Sequence, residues 1–202
     1  LLLALAIANA ASAASCERPV YLSFDTGHMG VAPLVAEVLK RHDVKATFFL
    51  ANERTRTGGS SLDDEWAPWW RARAEEGHAF GSHTWDHFSW LADVPGGLRL
   101  KPSQGGQAGQ ARVLDNAAYC AELERPAKRF AQMTGQRMSS IFRAPGGKTS
   151  PALLKAAAAC GWPGGSTGSA SVTVSSSSST TRPRGCRHPT TTRARPWPWG
   201  CM

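Results

Sequence analysis

Past its first ten residues the chain has no apolar run long enough to cross a membrane as a helix, so no spanning helix is expected there. None of its five cysteines (Cys16, Cys120, Cys160, Cys186 and Cys201) forms a Cys-x-x-Cys pair, which removes support for a cysteine-ligated zinc site. Residues 163–202 contain no acidic residue at all. That last absence explains the net charge of +8: residues 1–162 carry 18 Lys+Arg against 15 Asp+Glu, whereas the final segment carries 5 arginines unopposed. The basic excess therefore belongs to a tail and not to one face of a folded domain, and it gives no ground for a nucleic-acid partner. At 202 residues there is room for one domain with a sizeable core and not for two large ones.

The two ends differ from the middle. Leu1 to Ala10 is almost wholly apolar, and Ala11-Ser12-Ala13 has the small-x-small form of a signal peptidase site. Residues 1–14 are therefore expected to be the remnant of a secretory signal, which places the mature protein in the periplasm or outside the cell, with no stable membrane insertion after cleavage. An oxidising compartment permits disulfides, and Cys16, Cys120 and Cys160 could supply one bridge, although sequence does not choose the pair and buried free thiols fit equally well. Residues 163–202 hold five consecutive serines, Ser175 to Ser179, and three consecutive threonines, Thr190 to Thr192. Such a stretch buries too little apolar surface to offset the entropy of ordering it, so a disordered C-terminal tail is expected. Its arginine-, proline-, serine- and glycine-rich composition, starting abruptly after Cys160-Gly161-Trp162, is what a GC-rich gene yields out of frame.

Between Val20 and Trp162 short β-like runs alternate with helical stretches. Val20–Phe24, Ala46–Leu50, the run ending at Ser82, and Ser140–Arg143 are expected strands. Helices are expected over 32–41, over 63–76 with a stop at Gly77, over 117–133 with a stop near Gly135, and after Ser150 with Pro151 at the first position. Strand–helix alternation predicts an α/β fold with a parallel sheet or barrel and right-handed crossovers. In such folds chemistry sits at the carboxyl ends of strands, and three polar motifs fall there.

The first is Ser23-Phe24-Asp25-Thr26-Gly27-His28, an aspartate rigidly placed at a strand end as a general base would be. Alone it is weak, because Asp-x-Gly is also an ordinary turn. The second is His83-Thr84-Trp85-Asp86-His87. A single histidine is usually a satisfied core or surface residue, but two residues four apart share one face of a helical backbone and can reach one ion. Thr84 can hydrogen-bond the loop to hold its shape. The third is Arg143-Ala144-Pro145-Gly146-Gly147, where a fixed guanidinium could pair with and orient a catalytic carboxylate. The acids Asp63, Asp64 and Glu65 beside Trp66, Trp69 and Trp70 could form a sugar-stacking subsite; they fit a helix N-terminus with packed tryptophans better.

In this order, over about residues 19–162, the three motifs resemble those of the NodB-type polysaccharide deacetylases, carbohydrate esterases of family 4. The resemblance implies an incomplete, distorted (β/α) barrel. It implies Asp25 as catalytic base, Arg143 as the residue positioning it, His83 and His87 as ligands of zinc or a similar divalent ion, and Pro145 and Gly147 in the wall of the groove that holds an acetylated polysaccharide. Two departures stand out. Thr26 replaces the aspartate that the family's first motif usually offers as third metal ligand, with water, His28 or Asp86 left as substitutes. The family's later motifs, including a Leu-x-His that supplies a general acid, have no match beyond Trp162; His188 sits in Cys-Arg-His-Pro without strand context. Metal-assisted deacetylation with impaired turnover is the expectation, against the alternatives of a non-catalytic glycan-binding module or a non-functional gene product.

Overall fold

The structure is a computed structural model that describes residues 20–163 and 171–173. These fall, apart from Val20, within one compact unit, Tyr21–Ser178. The expected signal remnant and most of the expected tail lie outside the described residues.

The unit is built on a parallel sheet. β1 (Tyr21–Asp25) pairs with β2 (Thr47–Leu50), which pairs with β3 (Ala79–Ser82), all in parallel. Helix α1 (Ala32–Arg41) makes the crossover from β1 to β2, turning Ala32, Ala36 and Leu39 inward. Helix α2 (Ala67–Glu75) makes the crossover from β2 to β3 after a short 3₁₀ turn at Asp64–Trp66. The chain then departs from strand–helix alternation. β4 (Phe88–Val94), β5 (Gly97–Pro102) and β6 (Arg112–Leu114) form a separate antiparallel sheet in the order β4-β5-β6. Helix α3 (Asn116–Thr134) follows, with the Asp115 carboxylate accepting from the Ala118 amide at 2.8 Å as its N-cap and Gly135 closing its end at φ 73°. Helix α4 (Pro151–Ala159) is capped by Ser150, whose Oγ accepts from the Leu153 amide at 3.1 Å. A last short strand, β7 (Ser171–Thr173), pairs in parallel with β1 and gives the main sheet the order β3-β2-β1-β7.

Two apolar clusters hold this arrangement. One, around Phe48, Leu50, Trp70, Phe80 and Phe130, fills the space between the sheet and helices α2 and α3. Phe48 lies at its centre, stacked on Phe24 and Phe80 and edge-on to Trp69 and Trp70. The other, around Phe88, Leu100, Tyr119, Leu123, Phe142 and Leu153, ties the antiparallel sheet to α3 and α4. A Cys120–Cys160 disulfide, with Cα atoms 5.6 Å apart, joins α3 to α4 and settles which pair of cysteines bridges.

Two expectations change against this structure. The antiparallel sheet over residues 88–114 is an insertion that alternation did not predict. The fourth strand expected over Ser140–Arg143 is reduced to one parallel bridge, Ser82–Phe142, flanked by hydrogen bonds from the Ser82 amide to Ile141 O and from the Arg143 amide to Ser82 O. Of the expected tail, Pro163 and the short strand Ser171–Thr173, paired with β1, are described. The fold class is α/β with crossovers as expected, and the described residues form an open, partial barrel-type sheet with no closed barrel among them.

Candidate functional site

Asp25 ends β1, and Phe49 is its partner in β2, so its side chain stands at the carboxyl edge of the sheet. The bridge at Phe142 carries Arg143 to the same edge. There the guanidinium forks: Nη1 donates to Asp25 Oδ1 at 2.7 Å and Nη2 to Ser23 Oγ at 2.6 Å. Its carbon lies 4.2 Å from the centre of the Phe49 ring, which fixes the plane of the fork. The backbone of the same residue acts as well, because Arg143 O accepts from His83 Nδ1 at 2.8 Å. A carbonyl can only accept, so His83 carries its proton on Nδ1 and presents an unprotonated Nε2. That nitrogen lies 3.7 Å from Asp25 Oδ2.

His83 and His87 do come together, with ring centres 4.8 Å apart, but not through the helical turn expected for them. Thr84 and His87 take φ of 57° and 53°, so two left-handed residues curl the loop back on itself. A β-branched residue in that conformation costs on the order of 1 kcal/mol. Thr84 is fully buried, and its Oγ1 accepts from the Phe88 amide at 2.8 Å, which offsets the strain and holds the loop as expected of it. His87 Nδ1 pairs with Ser103 Oγ at 2.8 Å, which leaves Nε2 as its other ring nitrogen. Burial keeps both imidazoles neutral: it lowers the His83 pKa against the pull of Asp25, and with His83 nearby it pushes His87 down to about 4.

Thr26 supplies no free ligand atom beyond its hydroxyl, and Thr26 Oγ1 already accepts from the Ala51 amide at 2.8 Å. Of the substitutes raised by the sequence, the two side chains are engaged elsewhere. His28 is exposed and its Nδ1 accepts from the Gly30 amide at 3.0 Å. Asp86 faces Gly105, where even a Cβ atom would come within 2.6 Å of its Oδ1. The carboxylate that does adjoin Thr26 and Asp25 is Glu53, just beyond β2. Burial and the charge of Asp25 raise its pKa to about 7 while the Thr26 hydroxyl pulls the other way, and its Oε2 is buried without a hydrogen-bond donor. The adjacent Asn52 Oδ1 is also buried without a donor. Sequence reasoning missed Glu53 because nothing in Asn-Glu-Arg-Thr marks one carboxylate as turned inward.

Pro145 is buried in a 3₁₀ turn, and Gly147 is exposed at φ 68°. Trp70 Nε1 donates to Ser61 O at 2.8 Å from a fully buried ring, Trp69 packs edge-on against it at 4.6 Å, and Asp64 accepts from Arg129 at 2.6 Å, so the tryptophans pack as expected, while no side chain caps either helix start here.

Among the described residues no three His, Cys, Asp or Glu side chains stand close enough to enclose an ion as they are now posed. The chemistry of the atoms nonetheless fits a divalent cation. The unprotonated His83 Nε2 faces Asp25 Oδ2 with no proton between them, and Glu53 Oε2 lies buried nearby without a donor. Such a collection of lone pairs is unfavourable alone and favourable around a positive charge.

Fold and site together define a parallel α/β domain that gathers a carboxylate, an arginine and two histidines at the carboxyl edge of its sheet. The chain belongs to the polysaccharide deacetylase family, whose model matches residues 12–165. It is 40% identical over 75 residues to a peptidoglycan-N-acetylglucosamine deacetylase of Listeria monocytogenes, a stretch covering 37% of this chain and 14% of that one. It is 33% identical over 82 residues to a chitooligosaccharide deacetylase of Azorhizobium caulinodans, covering 40% of this chain and 35% of that one. The matched stretches thus span about a third or less of those relatives' length. Among solved structures, the chitin deacetylase of the fungus Colletotrichum lindemuthianum shares the fold at TM-score 0.52 and 22% identity, over 74% of this chain and 56% of the other. A family 4 carbohydrate esterase pseudoenzyme of Bacillus anthracis does so at TM-score 0.50 and 20% identity, over 73% and 42%.

Proposed function

We propose that this chain is a metal-dependent hydrolase that removes acetyl groups from a polysaccharide, exported to the periplasm or beyond, with its catalytic domain in residues 19–162. The observation that carries this reading is the coupled arrangement of Asp25, Arg143 and His83, in which one arginine orients the carboxylate with its side chain and the imidazole with its backbone. His83 and His87 would hold the ion, most simply zinc, through their Nε2 atoms. What such an ion supplies when bound is Lewis acidity toward water and the acetyl carbonyl. Asp25 accepts the proton of the attacking water on Oδ2, the oxygen that Arg143 leaves free. Arg143 keeps that carboxylate from rotating away, and Pro145 and Gly147 lie in the segment that follows it, along the expected substrate groove.

Turnover is impaired in this reading. Thr26 offers no carboxylate, and among the described residues no histidine acid is identified to protonate the leaving amine. A positioned acid contributes roughly 10²–10⁴-fold, so its lack leaves slow hydrolysis. The test is acetate release from N-acetylglucosamine polymers by the purified, zinc-supplied chain. Slow release that disappears in Asp25→Asn is expected, and turnover in the ordinary enzyme range would overturn the impairment. A non-catalytic glycan-binding module is the second reading, favoured by the tying of the Thr26 hydroxyl to the Ala51 amide. It requires glycan affinity in wild type and Asp25→Asn alike, with no acetate from either.

A further inference from the structure

We propose that Glu53 is an additional carboxylate ligand of the divalent ion, contributed from the end of β2; this rests on the metal-dependent reading above. The backbone places it. Ala51 donates to Thr26 Oγ1 at 2.8 Å, drawing the segment after β2 against the end of β1. Asn52 donates to Trp85 O at 2.8 Å, and His83 donates to Leu50 O at 2.8 Å, drawing the same segment against the histidine loop. Glu53 itself is pinned from both sides of its peptide: its amide donates to Ser61 Oγ at 3.1 Å, and its carbonyl accepts from the Ser61 amide at 2.7 Å. A residue so fixed between Thr26 and the His83–His87 loop has little freedom except in its side chain.

That side chain carries an oxygen, Oε2, which is buried and receives no donor. A carboxylate oxygen left buried and unsatisfied keeps its desolvation penalty with nothing to offset it, so it points to a missing partner. A proton satisfies it in the ion-free chain. An ion between Glu53, His83 and His87 would satisfy it better, since two neutral imidazoles alone bring no negative charge to a dication. The three groups do not enclose one point as they are posed, and closing the set requires Glu53 to swing about its side-chain torsions toward the imidazoles. The backbone bonds that hold residues 51–53 need not break for this.

The experiment is calorimetric titration of the purified full chain with zinc ions at pH 8, together with visible absorption of its cobalt(II) form. Wild type, Glu53→Gln, Glu53→Asp and His83→Ala are compared, with circular dichroism melts to establish folding. The expected result is a weakening of zinc affinity of about tenfold or more in Glu53→Gln, as expected for a lost ligand or its immediate support. Partial recovery is expected in Glu53→Asp, with an altered cobalt absorption band in Glu53→Gln. His83→Ala should abolish binding. Zinc affinity within twofold of wild type and an unchanged cobalt band in Glu53→Gln, with binding lost in His83→Ala, would overturn the role of Glu53 while leaving the histidine site intact. Absence of zinc binding by wild type would overturn both. If Glu53→Gln unfolds, Glu53→Asp carries the test, and wild-type affinity and spectrum in that shorter side chain count against the proposal.

Discussion

Four side chains of the site were visible in the sequence because they sit in three short motifs: Asp25 before Thr-Gly, His83 and His87 four apart after Gly-Ser, and Arg143 before Ala-Pro-Gly. Glu53 was not, because its role arises from backbone bonds made by its neighbours to Thr26 and Trp85, 25 and about 33 residues away, which no local pattern encodes. Its presence has a consequence for pH. The folded pKa of Glu53, about 7, lies above its ordinary 4.5, so the folded state takes up a proton that the unfolded state releases. The stabilisation from that proton is complete below about pH 4.5 and is lost as pH rises through 7. In chelator-treated protein, Glu53→Gln should therefore raise stability at pH 8 by about 1–3 kcal/mol, the upper end being the full shift undiscounted for partial exposure, and change it little at pH 4.5. Thermal melts of both proteins at the two pH values check this, and a larger gain at the acidic pH would contradict it.

At the scale of elements, β1 to β3 and the four helices followed from apolar runs, Pro151, Gly77 and Gly135, because there local preference and tertiary placement agree. The antiparallel sheet was missed although part of its signal was present: Gly97–Pro102 alternates buried and exposed residues, and Pro95-Gly96 marks a turn. The expectation of continued strand–helix alternation outweighed it. β3 and the 139–143 segment, which pair only through one bridge, approach very closely at Gly81. A Cβ there would meet Ile141 O at 2.7 Å and Phe49 Cε1 at 2.8 Å. Gly81→Ala should thus cost about 1–3 kcal/mol by overpacking, or several degrees in melting temperature. It should also displace the segment that delivers Arg143, so acetate release should fall further than stability alone explains. Calorimetry alongside the acetate assay separates the two effects, and an unchanged melting temperature would refute the close-approach account.

At the scale of the whole molecule, the Cys120–Cys160 bridge closes a loop of 40 residues and locks α4 onto α3. Chain-entropy reasoning gives it about 4 kcal/mol, so Cys120→Ser with Cys160→Ser should lower stability by roughly 2–4 kcal/mol in denaturant titration while leaving the distant Asp25–Arg143 pair intact. Equal stability of wild type and the double variant under oxidising conditions would count against this. The open sheet leaves Leu34 and Val38 of α1 exposed, along with Tyr21 of β1, an apolar surface that residue-by-residue reading did not foresee because each lies in an ordinary amphipathic run. Strand order was similarly illegible, since placing β1 between β2 and β7 depends on contacts across most of the chain. The same holds for the site. Arg143 meets Ser23 and Asp25 across 120 and 118 residues of chain, and His83 across 60. Contacts of such long separation form late, after the loops between them have closed. Emergence of the base–arginine pair during refolding is therefore a clock for the final step of assembly: a chain that has regained its helices has not yet regained its chemistry.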